Sequence, residues 1–204
     1  MAGLFVTFEG IDRSGKTTQA QLLRDALGER AVSVREPGGT ALGERVREIL
    51  KDPAAEIGPH AEALLFAAAR AELCRQVIRP ALAEGRVVVS DRFLDSSLAY
   101  QGEARGLGVD EVLEVNRWAV EGLLPDLTIY LAIDPEAAAA RAGEADRFED
   151  EGAELQRRVH AAYERLADAE PGRWVRVAAD RPAEQVHSDV LAAVEAARAG
   201  ATAA

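Results

Sequence analysis

GIDRSGKTT, residues 10–18, decides the reading of this chain. It fits G-x-x-x-x-G-K-[ST], the loop that cradles nucleotide phosphates. Gly10 and Gly15 let the backbone fold tightly, so that the amides of Ile11, Asp12, Arg13, Ser14, Thr17 and Thr18 can turn toward an anion. Lys16 supplies an ammonium for the β and γ phosphates, and Thr17 a hydroxyl for a magnesium ion. The flanks agree. LFVTFE, residues 4–9, reads as a buried strand, and residues 17–27 carry apolar Ala20, Leu23 and Leu27 at helical spacing. The glycines therefore mark a strand-to-helix turn, whose helix N-terminus attracts phosphate.

Working outward, apolar strand candidates recur at 4–8, 32–34, 86–89, 127–133 and 174–177. Helical patterns lie between and after them at 16–27, 41–51, 60–84, 109–121, 135–142, 149–168 and 183–198. Strands alternating with helices predict an α/β fold, a parallel sheet of five strands covered by helices on both faces. No repeat or linker divides the 204 residues, so residues 1–204 read as a single domain.

Composition sets limits. No apolar run approaches the roughly 20 residues of a membrane span. The first strand begins at once, which leaves no room for a signal peptide. Cys74 is the sole cysteine, so no disulfide forms within the chain and a cytoplasmic setting is expected. The net charge of −11 argues against nucleic-acid and acidic-membrane partners. An acidic protein that takes a polyanionic substrate must gather positive charge locally, from Arg13, Lys16, Arg35, Arg47, Arg70, Arg92 and Arg147.

Four further segments carry chemistry. REPGGT, 35–40, places Glu36, Pro37 and two glycines at the carboxyl end of the second strand, the edge where ligands bind in open α/β sheets. In VVVSDRF, 87–93, Asp91 ends a buried strand as a candidate magnesium carboxylate, and Arg92 can grip a phosphate bidentately. Phe66 and Arg70 lie four apart, as do Ser97 and Gln101, and Ser96 and Tyr100. An aromatic ring beside a guanidinium suits a planar base; the spacing alone equally suits a core phenylalanine and a surface arginine. RAGEADRFED, 141–150, is polar and glycine-bearing, which suits either a lid bringing Arg147 to the phosphates or a solvated linker.

Taken together, LFVTFEGIDRSGKTT, REPGGT, ALLFAAAR, SDRFLDSSLAYQG, LPDLTIYLAIDP and DRFE resemble bacterial thymidylate kinases, nucleoside monophosphate kinases of the P-loop class. The resemblance implies the three-layer P-loop kinase fold with a short lid at about 141–150. It implies transfer of the ATP γ-phosphoryl group to dTMP, giving dTDP on the route to dTTP, with Mg²⁺ as cofactor.

Carried over by position, residues 10–18 would hold ATP and Asp12 would lie near the acceptor phosphate. Arg47 and Arg92 would hold the dTMP phosphate in a pocket shaped by Glu36 and Pro37. Phe66 would stack on thymine. Arg70, Ser97 and Gln101 would read its edge, with Ser96 beside them. Tyr100 would pack under the deoxyribose. Thr17 and Asp91 would serve Mg²⁺, partly through water. The resemblance also implies a homodimer, for which the apolar surface of 60–84 is the candidate. Arginines occur both in the phosphate loop, at Arg13, and in the lid segment, at Arg141 and Arg147, so the one that meets the transition state is open. AADRP, 178–182, is the expected adenine-side loop. A nucleotide switch without an acceptor would leave REPGGT and SSLAYQG idle, and the chain lacks the N-K-x-D motif of a GTPase.

Overall fold

In the computed structural model, which describes residues 3–141 and 152–203, all six residues of β1 (Leu4–Glu9) are buried. That burial follows from its place. The sheet order is β2-β3-β1-β4-β5, with β2 at Ala31–Arg35, β3 at Val87–Asp91, β4 at Leu127–Ala132 and β5 at Trp174–Ala178. All pairings are parallel. The central strands read as near-continuous apolar runs because helices cover both faces. The edge strands β2 and β5 keep partly exposed positions.

Alternation along the strands builds two apolar layers. Leu4, Val6, Phe8, Val87 and Val89 pack with Leu23 and Leu27 of α1 (Lys16–Leu27). The same layer takes Val159 of α8 (Gly152–Ala169) and Val190 of α9 (Ala183–Ala203). Phe5, Val34 and Val88 face the other way, against Leu73 of α3 (Pro59–Leu73) and Val112 of α6 (Val109–Ala119). The result is the expected three-layer α/β architecture with a five-stranded parallel sheet.

The strand boundaries fall within two residues of those read from the sequence; Arg86 lies outside β3, which runs on to Asp91. The predicted helix 60–84 is interrupted. A π turn at Cys74–Ile78 separates α3 from α4 (Arg79–Ala83). Pro80 has no N–H to donate to residue 76, and the wider turn just before it accommodates the missing bond. The predicted helix 135–142 closes early, as α7 (Pro135–Ala139), capped by the Asp134 carboxylate. α2 (Ala41–Lys51) starts where expected, with Thr40 accepting from the Gly43 amide at 3.0 Å. The SSLAYQG segment forms α5 (Leu94–Ser97) running into a π segment, Leu98–Ala104. No helix among the described residues is long and apolar enough to cross a membrane.

The sheet grows in opposite directions from β1, which opens a crevice beyond its carboxyl end. The phosphate loop, the REPGGT segment after β2 and the DRF segment after β3 all lie at that edge.

Candidate active site

Gly10 adopts φ +142°, and a Cβ there would stand 2.9 Å from the Leu131 carbonyl oxygen. Only glycine fits that turn. Gly15, at φ +99°, precedes α1 directly. Between them, Lys16 Nζ donates to the Ile11 carbonyl at 2.6 Å and to Ser14 Oγ at 3.4 Å. The ammonium is thus folded into the loop's own acceptors, and burial, aided by the nearby Arg92 charge, pulls its pKa down to about 8. Thr17 Oγ1 donates to Asp91 Oδ2 at 2.6 Å, which brings the expected magnesium hydroxyl and carboxylate together. These are the hard oxygen donors that Mg²⁺ takes.

Asp12 is the hub of a hydrogen-bond network beside the phosphate loop. Its carboxylate accepts from Arg92 Nη2 at 2.5 Å, Gln156 Nε2 at 2.8 Å and the Tyr100 hydroxyl at 3.1 Å. Gln156 Oε1 in turn accepts from the Asp12 amide at 3.1 Å. Burial alone would raise the Asp12 pKa, but Arg92 and Lys16 outweigh it and hold the group below its ordinary value.

Arg92 sits at φ +71°, a left-handed conformation that lets it turn back across the sheet edge. Its Nη1 donates to the Gly10 carbonyl at 3.2 Å and to Ser96 Oγ at 3.0 Å, and its guanidinium lies 5.2 Å from the Tyr100 ring centroid. Beneath this layer Glu9 is fully buried. It accepts from the Phe93 amide at 2.7 Å, Ser96 Oγ at 2.6 Å and Tyr163 Oη at 2.8 Å. Burial, reinforced by nearby Asp95, pushes its pKa up to about 7.

A cavity of about 340 Å³ opens above these groups. Asp12, Arg13, Lys16, Thr17, Asp91 and Arg92 line it on the side of the phosphate loop and the DRF segment. Glu36, Pro37, Arg47, Phe66, Ser96, Ser97, Tyr100 and Gln101 also line it, so residues up to 89 positions apart in the chain share one wall. Arg70 is absent from the lining. It lies behind the wall, 1% exposed, where four hydrogen bonds and an ion pair hold its guanidinium. Nε and Nη2 meet Glu36 Oε2 at 2.7 and 2.5 Å, Nη2 reaches the Phe93 carbonyl, and Nη1 takes Ser97 Oγ at 3.1 Å and Asn116 Oδ1. A contact from Arg70 to a base therefore requires one of these partners to let go. Glu36 is raised by burial against the pull of Arg70, and its Oε1 has no partner among the described residues.

A second cavity, of about 210 Å³, lies on the other side of the phosphate loop. Ser14, Gly15 and Thr18 line it together with Ala179 and Arg181 of the expected adenine-side loop. Arg13 lines the larger cavity, and its Nη1 donates to the Ala139 and Arg141 carbonyls at 3.3 and 3.2 Å. Arg141 reciprocates, donating from Nη1 to the Arg13 carbonyl at 3.1 Å. Arg147 and most of the expected lid, residues 142–150, lie outside the described residues.

Sequence reasoning missed Glu9, Glu62, Asn116, Gln156 and Tyr163. For Glu9 a signal existed: it is an acid ending an otherwise apolar buried run, directly before Gly10.

Comparison with known proteins agrees with this geometry. The family model described as thymidylate kinase matches residues 8–190. A thymidylate kinase of Leifsonia xyli subsp. xyli is 52% identical over 195 residues, covering 92% of each chain. One from Pelotomaculum thermopropionicum is 51% identical over 203 residues, covering 96% of this chain and 94% of its own. The crystal structure of thymidylate kinase from Ehrlichia chaffeensis superposes with a TM-score of 0.79 at 32% identity, covering 95% of this chain and 99% of that one. On this shared fold, phosphate loop and sequence, the chain belongs to the thymidylate kinase family.

Proposed function

We propose that this chain is a dTMP kinase that moves the γ-phosphoryl group of ATP onto dTMP, releasing dTDP and ADP. The observation that carries the reading is the pair of cavities on either side of one phosphate loop. Asp12, Arg13, Lys16 and Thr17 face one, while Ser14, Gly15 and Thr18 face the other. A donor nucleotide in the smaller cavity and an acceptor in the larger would meet with their phosphates over residues 10–18.

The acceptor phosphate is already a nucleophile, so the protein's task is to position and to neutralise charge. Lys16 exchanges the Ile11 carbonyl for the β and γ phosphates. Arg92 and Arg47 hold the dTMP phosphate, with Asp12 orienting Arg92 and Pro37 accepting from Arg47 Nη1 at 3.0 Å. Phe66 stacks on thymine. Ser97, whose hydroxyl can rotate, releases Arg70 Nη1 toward a thymine carbonyl, and Gln101 meets the next position of the base edge. Tyr100, fixed between Arg92 and Asp12, closes the space beneath the sugar where a 2′-hydroxyl would stand. Thr17 and Asp91 would hold Mg²⁺, partly through water, and the ion would supply Lewis-acid neutralisation of the phosphates. The whole chain behaves as one domain.

An ADP-release assay across dTMP, dUMP, UMP, dCMP and dGMP tests the assignment. Strong preference for dTMP, with dUMP far ahead of UMP, supports it. A preferred purine, or equal use of dUMP and UMP, would sink the base or the sugar assignment respectively.

The exposed apolar side chains of three helices support a homodimer. Leu42 and Ile49 on α2, Leu64 on α3 and Trp118 on α6 are all exposed, Trp118 by 85%, and α3 packs against both α2 and α6. Surface of this kind marks an interaction site. Sedimentation of the purified protein as a monomer at micromolar concentration would remove this reading. The reduced, buried thiol of Cys74, pushed up to about 12 by burial, accords with a cytoplasmic enzyme.

A further inference from the structure

Gln101 is 2% exposed and still lines the larger cavity. Its amide is not free to turn. Nε2 donates to Glu62 Oε1 at 2.8 Å, and Glu62 is itself 1% exposed on α3. The same carboxylate is gripped by Arg105, whose Nε meets Oε1 at 3.1 Å and whose Nη2 meets Oε2 at 3.1 Å. A carboxylate only accepts hydrogen bonds, so it dictates that the nitrogen corner of the amide faces inward. The oxygen corner is left on the other side. Gln101 Oε1 takes no hydrogen bond from any described residue and is not sealed from solvent.

We infer that Glu62 is a specificity-determining positioning residue: by fixing the Gln101 amide it presents the base pocket with an acceptor rather than a donor. The inference rests on the reading of this cavity as the site of a pyrimidine base. Thymine and uracil offer an N3–H next to a carbonyl, and that hydrogen meets the Gln101 oxygen. Cytosine offers a lone pair at the same place. Two acceptors would then face each other, and a buried polar group left without its partner is costly. Gln101 alone does not settle this choice, since a freely rotating amide satisfies either base. The charge behind it does.

The test uses the full-length enzyme with Glu62→Gln and Glu62→Asp. The readouts are the Michaelis constants for dTMP and ATP, kcat, and the inhibition constant of dCMP against dTMP. Glutamine at 62 can accept or donate, so the Gln101 amide is released. The dTMP constant should rise about 10-fold and dCMP should bind about 10-fold more tightly relative to dTMP, with the ATP constant unmoved and kcat within about threefold. Aspartate keeps an acceptor-only group, and the dTMP-to-dCMP ratio should stay near the wild-type value. An unchanged ratio in folded Glu62→Gln overturns the inference. So does a parallel loss of kcat and thermal midpoint in both variants with the ratio intact, since that marks a merely structural ion pair. Gln101→Leu leaves Glu62 paired with Arg105 and provides a check that does not depend on Glu62 variants folding. It should erase the preference to the same extent, and retention of the preference refutes the role. Failure of the underlying assignment looks different: the wild-type enzyme itself would then show no preference for dTMP.

Discussion

Replacing Arg70 by alanine should damage two things at once, and the structure separates them. The side chain is 1% exposed and pairs with Glu36, which is 3% exposed at its side chain. Deleting one member of a buried pair strands the other, at a cost of about 3–5 kcal/mol. Asn116 Oδ1 and the Phe93 carbonyl lose a donor as well. For a chain of this size the thermal midpoint should fall by about 6–20 °C. Burial already raises Glu36, so in the variant it will take up a proton. A carboxyl with a raised folded pKa contributes stability that is fully present below its ordinary 4.5 and is lost as pH climbs through the raised value. The deficit of Arg70→Ala should therefore be smaller at acid pH than at neutral pH. The second effect is on recognition. A hydrogen bond from a charged donor to a thymine carbonyl contributes about 1.5–3 kcal/mol, which is about 10- to 150-fold in the dTMP Michaelis constant, with ATP little affected. The double variant Arg70→Met with Glu36→Gln divides the two, because it leaves no buried charge. Calorimetry should show much of the thermal deficit recovered, while steady-state assays show dTMP use still impaired. Recovery of dTMP use in the double variant, or equal rises in both Michaelis constants for Arg70→Ala, would refute the assignment of Arg70 to the base.

Lys16→Ala should abolish measurable ADP release while circular dichroism stays native; substantial turnover would end the phosphate-loop reading. Arg13 lies at φ +62°, so Arg13→Gly relieves the backbone there and tests the side chain cleanly. If the guanidinium leaves the Ala139 and Arg141 carbonyls to meet the transition state, kcat should fall at least about 100-fold with modest change in either Michaelis constant. A kcat within a few-fold of wild type, beside a large loss for Arg147→Ala, would give the task to Arg147. Glu9 is held up to about 7 by burial, so it contributes stability below 4.5 that is lost as pH rises through 7. Glu9→Gln should remove that component, and identical pH profiles of denaturation midpoint for variant and wild type would show that Glu9 does not titrate in this range.

Much of this molecule is written locally. A phosphate loop is one unbroken run of residues, and its strand and helix announce themselves by apolar spacing. The wall of the larger cavity was legible for a different reason: its segments match a known family motif by motif. The hidden part lies one layer back. Glu9, Glu62, Asn116 and Tyr163 act by holding other side chains, from positions up to 154 residues away. Nothing in a local window distinguishes an asparagine on α6 that grips Arg70 from one that faces solvent. The spacing of Phe66 and Arg70 suggested a shared face, yet tertiary packing buried Arg70 behind the wall and left Phe66 on it. The π turns were equally silent, because an inserted residue shifts a hydrogen-bond ladder without altering composition.

The register of β1 against β3 has an evolutionary consequence. Phe8 stands opposite Asp91, and the Arg92 amide donates to the Phe8 carbonyl at 3.0 Å. The distance between the phosphate loop and the DRF segment is thus fixed by main-chain bonds, which no single side-chain replacement can lengthen. The groups proposed to choose the base come from α3 and from Leu98–Ala104, outside that ladder. Chemistry and selectivity are therefore carried by separable parts. A lineage, or an engineer, can retune Phe66, Gln101 and Glu62 toward another nucleobase while the alignment of the two phosphates is inherited intact.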